Sequence, residues 1–185
     1  MCVLFFQGRP PCQALSVDDG AVIAIRPARE DDREQVLALA PRLTEGAAPW
    51  RVQDAVLTAA TGWLDTSLDA ALAGSAAMYV ACVATDDSAT PSRVVGVLSV
   101  SHNRHFTGDD DAYIGELAVA PDAVRTGVGR QLVRAAEAWA RQEGLRRVSL
   151  HTGAANATAR AFYGALGFRE EDVRLTLLLE PSSEG

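Results

Sequence analysis

The chain has 185 residues, of which 48% are apolar and 22% are charged, as in a single soluble globular domain. Its net charge of -7 argues against a nucleic-acid partner, and the apolar VLFF stretch at residues 3–6 is too short to cross a membrane. All 17 basic residues are arginines, which excludes a Schiff-base lysine and the lysine of a P-loop.

The three cysteines set a further limit on the chemistry. Cys2, Cys12 and Cys82 are odd in number and contain no C-x-x-C pair, so we predict neither a metal site nor a disulfide framework. A reducing, cytoplasmic location fits this pattern best, with Cys82 as a small buried apolar residue. Residues 1–20 are set apart as a poorly ordered tail or an extended start, which leaves one domain over 21–180.

The first half of that domain alternates between strand and helix patterns. An apolar–polar alternation that ends at Pro27 predicts the first strand. Two segments with helical spacing of apolar residues follow, and the second has a candidate break at Gly62. Two β-branched runs flank a turn-rich segment and predict an antiparallel hairpin. The predicted elements are a strand at 21–28, helices at 29–40 and 50–73, and strands at 78–84 and 93–100.

The second half contains a β-helix-β unit at 113–152. A polar loop at 102–112 leads to a third strand at 113–119, which Pro121 ends because proline has no N–H group for the ladder. The remaining predicted elements are an amphipathic helix from Val128, a strand at 146–152, a short helix near 157–166 and a last strand at 173–179. This order predicts an α/β (α+β) fold with a mostly antiparallel, mixed sheet.

The turn Thr126-Gly127-Val128-Gly129 joins the third strand to the amphipathic helix. Glycine lets a backbone approach a ligand closely, and the first N–H groups of a helix, together with its dipole, favour an anion. A plain tight turn explains the two glycines equally well. The absence of a following lysine and of a third glycine argues against a P-loop and a dinucleotide fingerprint.

The segment NATARAFYGALGF at 156–168 changes the interpretation of this turn. Together with VRTGVG at 124–129, it resembles the two hallmark segments of the GNAT superfamily, the acetyl-CoA-dependent N-acetyltransferases, and the element order agrees over roughly 21–180. The one departure is Val124, which occupies a position that is usually Gln or Arg. The second motif is matched at Asn156, Ala159, Phe162, Tyr163, Gly167 and Phe168.

The resemblance implies a GNAT fold whose sheet splays between the strands 113–119 and 146–152. It also implies that acetyl-CoA lies with its pyrophosphate on the turn and its pantetheine arm along the third strand. Asn156 would hydrogen-bond that arm, although an N-cap role explains it as well. The implied cofactor-binding residues are Leu117, Ala118, Val119, Arg125, Thr126, Gly127, Val128, Gly129, Arg130, Asn156 and Tyr163.

For catalysis, the resemblance makes Tyr163 the acid that protonates the leaving thiolate, against the alternative of a plain core aromatic residue. Glu116 is the leading candidate for the base that deprotonates the amine, although many family members place their glutamate three residues earlier, where this chain has Tyr113. The alternative bases are His102, His105 and His151. The acidic run at 109–111 either lies on the solvated surface or attracts a cationic amine.

The expected reaction is direct acetyl transfer to a primary amine, with a small molecule as the acceptor. Two other functions stay open at this point: a regulatory module that binds acyl-CoA without transferring it, and an acetyltransferase for protein N-termini or lysines. Dimerisation is common in the family, and no segment decides whether this chain is a homodimer.

Overall fold

A computed structural model describes residues 14–16, 22–83 and 92–179. Within these residues, six strands form one sheet in the order β1-β2-β3-β4-β5-β6. All neighbours are antiparallel except β5 and β6, which are parallel. The strands are β1 (Ala14–Ser16), β2 (Val22–Pro27), β3 (Ala77–Val83), β4 (Arg93–Arg104), β5 (Asp110–Val119) and β6 (Val148–Leu150).

In the described part of the chain, five α-helices flank this sheet: α1 (Arg33–Leu37), α2 (Ala40–Leu43), α3 (Gln53–Leu72), α4 (Val128–Gln142) and α5 (Ala157–Ala165). The core lies under β3, β4 and β5, where α3 contributes Leu64 and Leu68 and α4 contributes Leu132 and Val133. Burial of these apolar faces is the main stabilising term. The predicted mixed α+β sheet with flanking helices is confirmed.

The predicted β-helix-β unit is present as β5, α4 and β6, and Cys82 is buried as expected. α3 runs without a break through Gly62. The helix predicted at 29–40 begins with a 3-10 turn at Glu30–Asp32 and continues as α1, with α2 following. At its start, Asp32 accepts two hydrogen bonds from Arg26, of 2.6 and 2.7 Å, and one from the Arg29 N–H.

Two sequence predictions are wrong. Residues 102–112 are mostly strand, because β4 and β5 continue to a short turn and pair as far as Arg104 with Asp110. Residues 173–179 form no strand, since none of the described strands pairs with them. β1 lies within residues 1–20, and the other residues of that stretch lie outside the part of the chain that the structure describes.

Candidate acetyl-CoA site

The glycine turn has the backbone geometry of an anion site. Gly127 has φ of 89° and precedes the first residue of α4, while Arg125, with φ of 65°, is the one described non-glycine residue in the left-handed region. Thr126 Oγ1 donates a 2.7 Å hydrogen bond to the Ala123 carbonyl and so pins the turn. No side chain caps the helix start, which leaves its first N–H groups available to a ligand.

Charge at the turn favours the same ligand. Arg125 and Arg130 are exposed, and neither forms an ion pair with any residue that the structure describes. Two unpaired guanidinium groups beside a helix N-terminus favour a phosphate or pyrophosphate group. Val124, at the position where the family usually has Gln or Arg, is 42% exposed and offers no polar group.

Gly129 brings the two sequence motifs into contact. A Cβ atom at this position would lie 3.2 Å from Cζ of Phe162, so the ring of α5 rests directly on the first turn of α4. Only a residue without a side chain permits this approach without a shift. The neighbouring Tyr163 is therefore held at a fixed position relative to the turn.

β5 has a free edge next to these elements. It pairs with β6 only from Ala112 to Ile114, so its last residues have no partner strand on that side among the residues that the structure describes. The Ala120 N–H donates to the Val95 carbonyl on β4, and strand alternation then turns the peptide groups of Val119 and Leu117 toward the free edge. This is the splay that the family resemblance implied.

A strap formed by residues 42–46 crosses the splay. Arg42 Nε donates to the Val119 carbonyl over 2.9 Å, and Asn156 Nδ2 donates to the Glu45 carbonyl over 3.0 Å. Gly46 lies against Gly153, where an added Cβ would stand 2.2 Å from the Gly46 oxygen. Sequence reasoning missed this strap because Arg42 precedes Val119 by 77 residues and no local pattern links them.

Asn156 acts as the N-cap of α5 in this structure. Its Oδ1 accepts a 3.0 Å hydrogen bond from the Ala159 N–H, while its amide nitrogen is used by the strap. Both polar groups of the side chain thus have protein partners. A contact between Asn156 and a bound cofactor would require the bond to Glu45 to open.

Tyr163 lies between two other aromatic rings. Its ring centroid is 5.1 Å from that of Phe162 and 5.4 Å from that of Phe168, both in edge-on geometry. Burial raises the pKa of the Tyr163 phenol to about 12. The hydroxyl therefore carries its proton throughout the neutral range, as a general acid must.

Glu116 is buried on β5 opposite Ser99 of β4. The Ser99 hydroxyl donates to the carboxylate, and the Glu116 N–H donates to Ser99 Oγ over 3.1 Å. Burial, followed by the nearby Glu116 carboxylate, raises the pKa of the Tyr113 phenol. Tyr113 in turn contacts His151 Nδ1 at 3.0 Å. The Glu116 carboxylate, the Tyr113 phenol and the His151 imidazole therefore lie near the point where β5 and β6 diverge, with the phenol in contact with the imidazole.

The other two histidines lie elsewhere. His102 stacks edge-on against Trp139 and lies 3.2 Å from Glu143, and His105 sits in the β4–β5 turn. Among the three histidines, His151 is the one beside the splay. In the acidic run, Asp111 is buried and binds Arg147 at 2.7 Å. Asp111 is thus part of an internal ion pair rather than solvated surface.

Comparison with known proteins gives the family. A family model described as the acetyltransferase (GNAT) family matches residues 46–168. No curated protein matches the chain. No helix among the described residues is long and apolar enough to cross a membrane.

Solved structures share the fold at low sequence identity. A GCN5-related N-acetyltransferase from Ralstonia eutropha has 19% identity and a TM-score of 0.64, with 84% of this chain and 98% of that chain covered. An acetyltransferase from Trypanosoma brucei has 24% identity and a TM-score of 0.59, with 85% and 99% covered. The aminoglycoside N-acetyltransferase AAC(6')-Iy in complex with CoA has 22% identity and a TM-score of 0.59, with 89% and 98% covered. Since the family model spans well over half of the sequence, this chain belongs to the GNAT acetyltransferase family.

Proposed function

We propose that the protein transfers an acetyl group from acetyl-CoA to the primary amine of a small molecule within a ternary complex. The observation that carries this proposal is the contact between Phe162 and Gly129, because it joins the turn and the tyrosine-bearing helix in one site. The similarity to an aminoglycoside N-acetyltransferase in complex with CoA supports the same cofactor and an amine acceptor.

The residues present fit acetyl-CoA. The uncapped N–H groups at the start of α4, with Arg125 and Arg130, would hold the pyrophosphate, and the free edge at Leu117 to Val119 would pair with the peptide-like arm. When bound, acetyl-CoA supplies an activated acetyl group as its thioester. The part of the chain that binds it lies between β5 and α5.

Two side chains move the protons. As the amine nitrogen forms its bond to the acetyl carbon and the carbon–sulfur bond breaks, the Tyr163 hydroxyl donates its proton to the leaving sulfur. Glu116 accepts the proton of the amine through a water molecule. Ser99 keeps the Glu116 carboxylate oriented by its hydrogen bond. The net charge of -7 favours the approach of a cationic amine to the protein.

Substitution of Tyr163 by Phe tests the function and the acid together. We expect Tyr163→Phe to bind acetyl-CoA as the wild type does, by isothermal titration, and to release coenzyme A about 10²–10⁴-fold more slowly across an amine panel. Because burial raises the pKa of Tyr163 to about 12, turnover of the wild type should show no loss from this group until well above pH 10.

Tyr79→Phe is the matched control, since Tyr79 is also a partly buried tyrosine but lies on β3. Full turnover by Tyr163→Phe would remove the acid role and leave the family assignment intact. Acetyl-CoA binding without coenzyme A release for any amine would instead favour a regulatory acyl-CoA-binding module. An absence of binding at millimolar acetyl-CoA would refute the proposed function.

A further inference from the structure

The buried side chain of Gln131 has no hydrogen-bond partner in the described part of the chain. Gln131 lies on α4 and is only 6% exposed, and neither its Oε1 nor its Nε2 atom is paired. An amide that leaves water without finding a partner is costly, and such groups are rare in native proteins. A donor and an acceptor thus lie side by side at a buried position, with nothing among the described residues to pair them.

Gln131 lines a groove of about 520 Å³ between α4 and the sheet. β2 and β3 form one wall, where Ile25 and Pro27 supply apolar surface, and α4 forms the other. On α4, Ala135 and Ala138 follow Gln131 at intervals of four and three residues, so they lie on the same face of the helix. A mostly apolar groove of this size with a few polar groups is typical of a small-molecule site.

The groove is separate from the proposed acetyl-CoA site. None of its lining residues belongs to the glycine turn, to β5, to the strap or to α5. Both places nevertheless use α4, because the turn precedes the first residue of this helix and the groove begins at Gln131. The acetyl transfer proposed above gives this groove no role.

The charged side chains of the groove leave one cation unpaired. Arg141 binds Glu137 at 3.0 Å, and Arg26 donates two hydrogen bonds to a buried carboxylate before α1. Arg134 is exposed and forms no ion pair with any residue that the structure describes. It follows Gln131 by three residues, so the two side chains are neighbours on the helix surface. An anion in the groove would therefore meet a guanidinium group and an amide together.

We propose that this groove binds a small planar acid whose ring N–H group lies beside its carboxylate, as in an indole-2-carboxylate. The carboxylate accepts hydrogen bonds from Arg134 and from Nε2 of Gln131, while the ring N–H donates to Oε1 of the same amide. Both unpaired atoms of Gln131 are then satisfied. The flat ring lies against Trp139 and the apolar wall of β2, where burial and aromatic contact favour it.

A planar acid suits the groove better than water does. A buried water molecule needs about two to four polar partners. Ile25, Ala135 and Ala138 offer it no side-chain partner, because all three side chains are apolar. The acid instead places its polar edge on Gln131 and its ring on these apolar side chains.

Isothermal titration of the full chain with indole-2-carboxylate tests the proposal. The wild type should bind this acid at submillimolar concentration. The analogue 1-methylindole-2-carboxylate lacks the N–H donor, and indole-2-carboxamide lacks the charge, so each should bind about tenfold or more weakly. The absence of binding at millimolar acid, or equal affinity for the three compounds, would overturn the proposal.

Two substitutions on α4 connect binding to the groove. Gln131→Leu should weaken binding of indole-2-carboxylate by about tenfold or more and should raise Tm, because it removes an unpaired buried amide and keeps a similar size. Arg134→Met keeps an apolar stem without the charge and should weaken binding by about as much. Arg51→Met, at an exposed arginine outside the groove, is the matched control and should bind as the wild type does. Wild-type affinity in Gln131→Leu would refute the assigned contacts.

Titration in the presence of saturating acetyl-CoA separates the groove from the cofactor site. Indole-2-carboxylate should bind with unchanged affinity, because the two sites share no residue. Displacement of the acid by acetyl-CoA would place it at the turn, beside Arg125 and Arg130, and would overturn the proposal. The measurement needs no turnover, so its failure leaves the proposed acetyl transfer intact, and a protein without transferase activity could still bind the acid in the groove.

Discussion

Gly129 is the residue on which the geometry of the site depends most directly. It lies in the first turn of α4, and its Cα faces the ring of Phe162 on α5. The sequence motif explains a glycine here by the approach of a phosphate. The structure adds a second reason, because any side chain at this position would push on the helix that carries Tyr163.

We expect Gly129→Ala to weaken acetyl-CoA binding by about tenfold, because overpacking displaces α5 from the turn by a few tenths of an ångström. Isothermal titration measures this change. Gly164→Ala is the matched control: it lies in α5, an added Cβ meets nothing within 4 Å, and alanine should stabilise the helix by up to about 1 kcal/mol without altering binding. If Phe162→Leu added to Gly129→Ala fails to restore affinity, the displacement is not the cause.

Glu116 is the second residue whose role can be tested alone. A buried carboxylate that is held by Ser99 and lies near Tyr113 can accept a proton from an amine through water. We expect Glu116→Gln to lower kcat by about 10²-fold or more, measured as coenzyme A release across the amine panel. Glu137→Gln, on the surface of α4 in an ion pair with Arg141, should leave kcat unchanged.

A different result would identify the alternative base. If Glu116→Gln keeps the wild-type kcat and His151→Gln lowers it, then the imidazole beside Tyr113 removes the proton and the glutamate is structural. Both substituted residues lie near the point where β5 and β6 diverge, so the two variants test the same deprotonation of the amine with two candidate bases.

At the scale of elements, the strap at residues 42–46 is the feature that the sequence could not reveal. It uses the Val119 carbonyl, the group on the free edge of β5 that a peptide-like arm would need. It also engages Asn156, the residue that the family resemblance assigns to the same arm. The binding of acetyl-CoA along β5 therefore competes with the contacts of the strap.

We expect Arg42→Ala to tighten acetyl-CoA binding by about threefold to tenfold, because the Val119 carbonyl then needs no displacement of a hydrogen-bonded arginine. Isothermal titration calorimetry on the free enzyme measures this change in acetyl-CoA affinity. Arg51→Ala removes an exposed arginine nearby on the same connection and should leave the affinity as it is. Weaker binding by Arg42→Ala would mean that this arginine itself contacts the cofactor.

The elements that could be predicted from sequence are those with a strong local signal. The amphipathic pattern from Val128 and the β-branched runs near 78–100 correspond to α4, β3 and β4. The polar composition of residues 102–112 predicts a loop, although cross-strand pairing of Arg104 with Asp110 extends the hairpin into this segment from both ends. A single ion pair across a hairpin has no period along the chain, so apolar periodicity does not register it.

At the scale of the whole molecule, the two ends of the sheet differ in strand pairing and in burial. β3 and β4 pair over seven positions in the core, whereas β5 and β6 pair over three and α5 has no buried residue. Sequence patterns predicted the positions of β6 and α5, but they could not show how few buried contacts hold this end of the sheet. Regions with few buried contacts open locally at low free-energy cost. The proposed acetyl-CoA site connects this weakly packed end to the well-packed part of the sheet.

Acetyl-CoA should therefore slow local opening of β6 and α5 in particular. At about 100 times its dissociation constant, a ligand adds about 2.7 kcal/mol to any opening that destroys its site, which is about a 100-fold slower amide exchange. We expect this factor across residues 148–165, measured by hydrogen exchange with mass spectrometry. The last turn of α3, which ends at Leu72, can fray without disturbing the site and should keep its rate. Equal slowing in both segments would show that they open only together, and unchanged exchange at 148–165 would separate this end of the fold from cofactor binding.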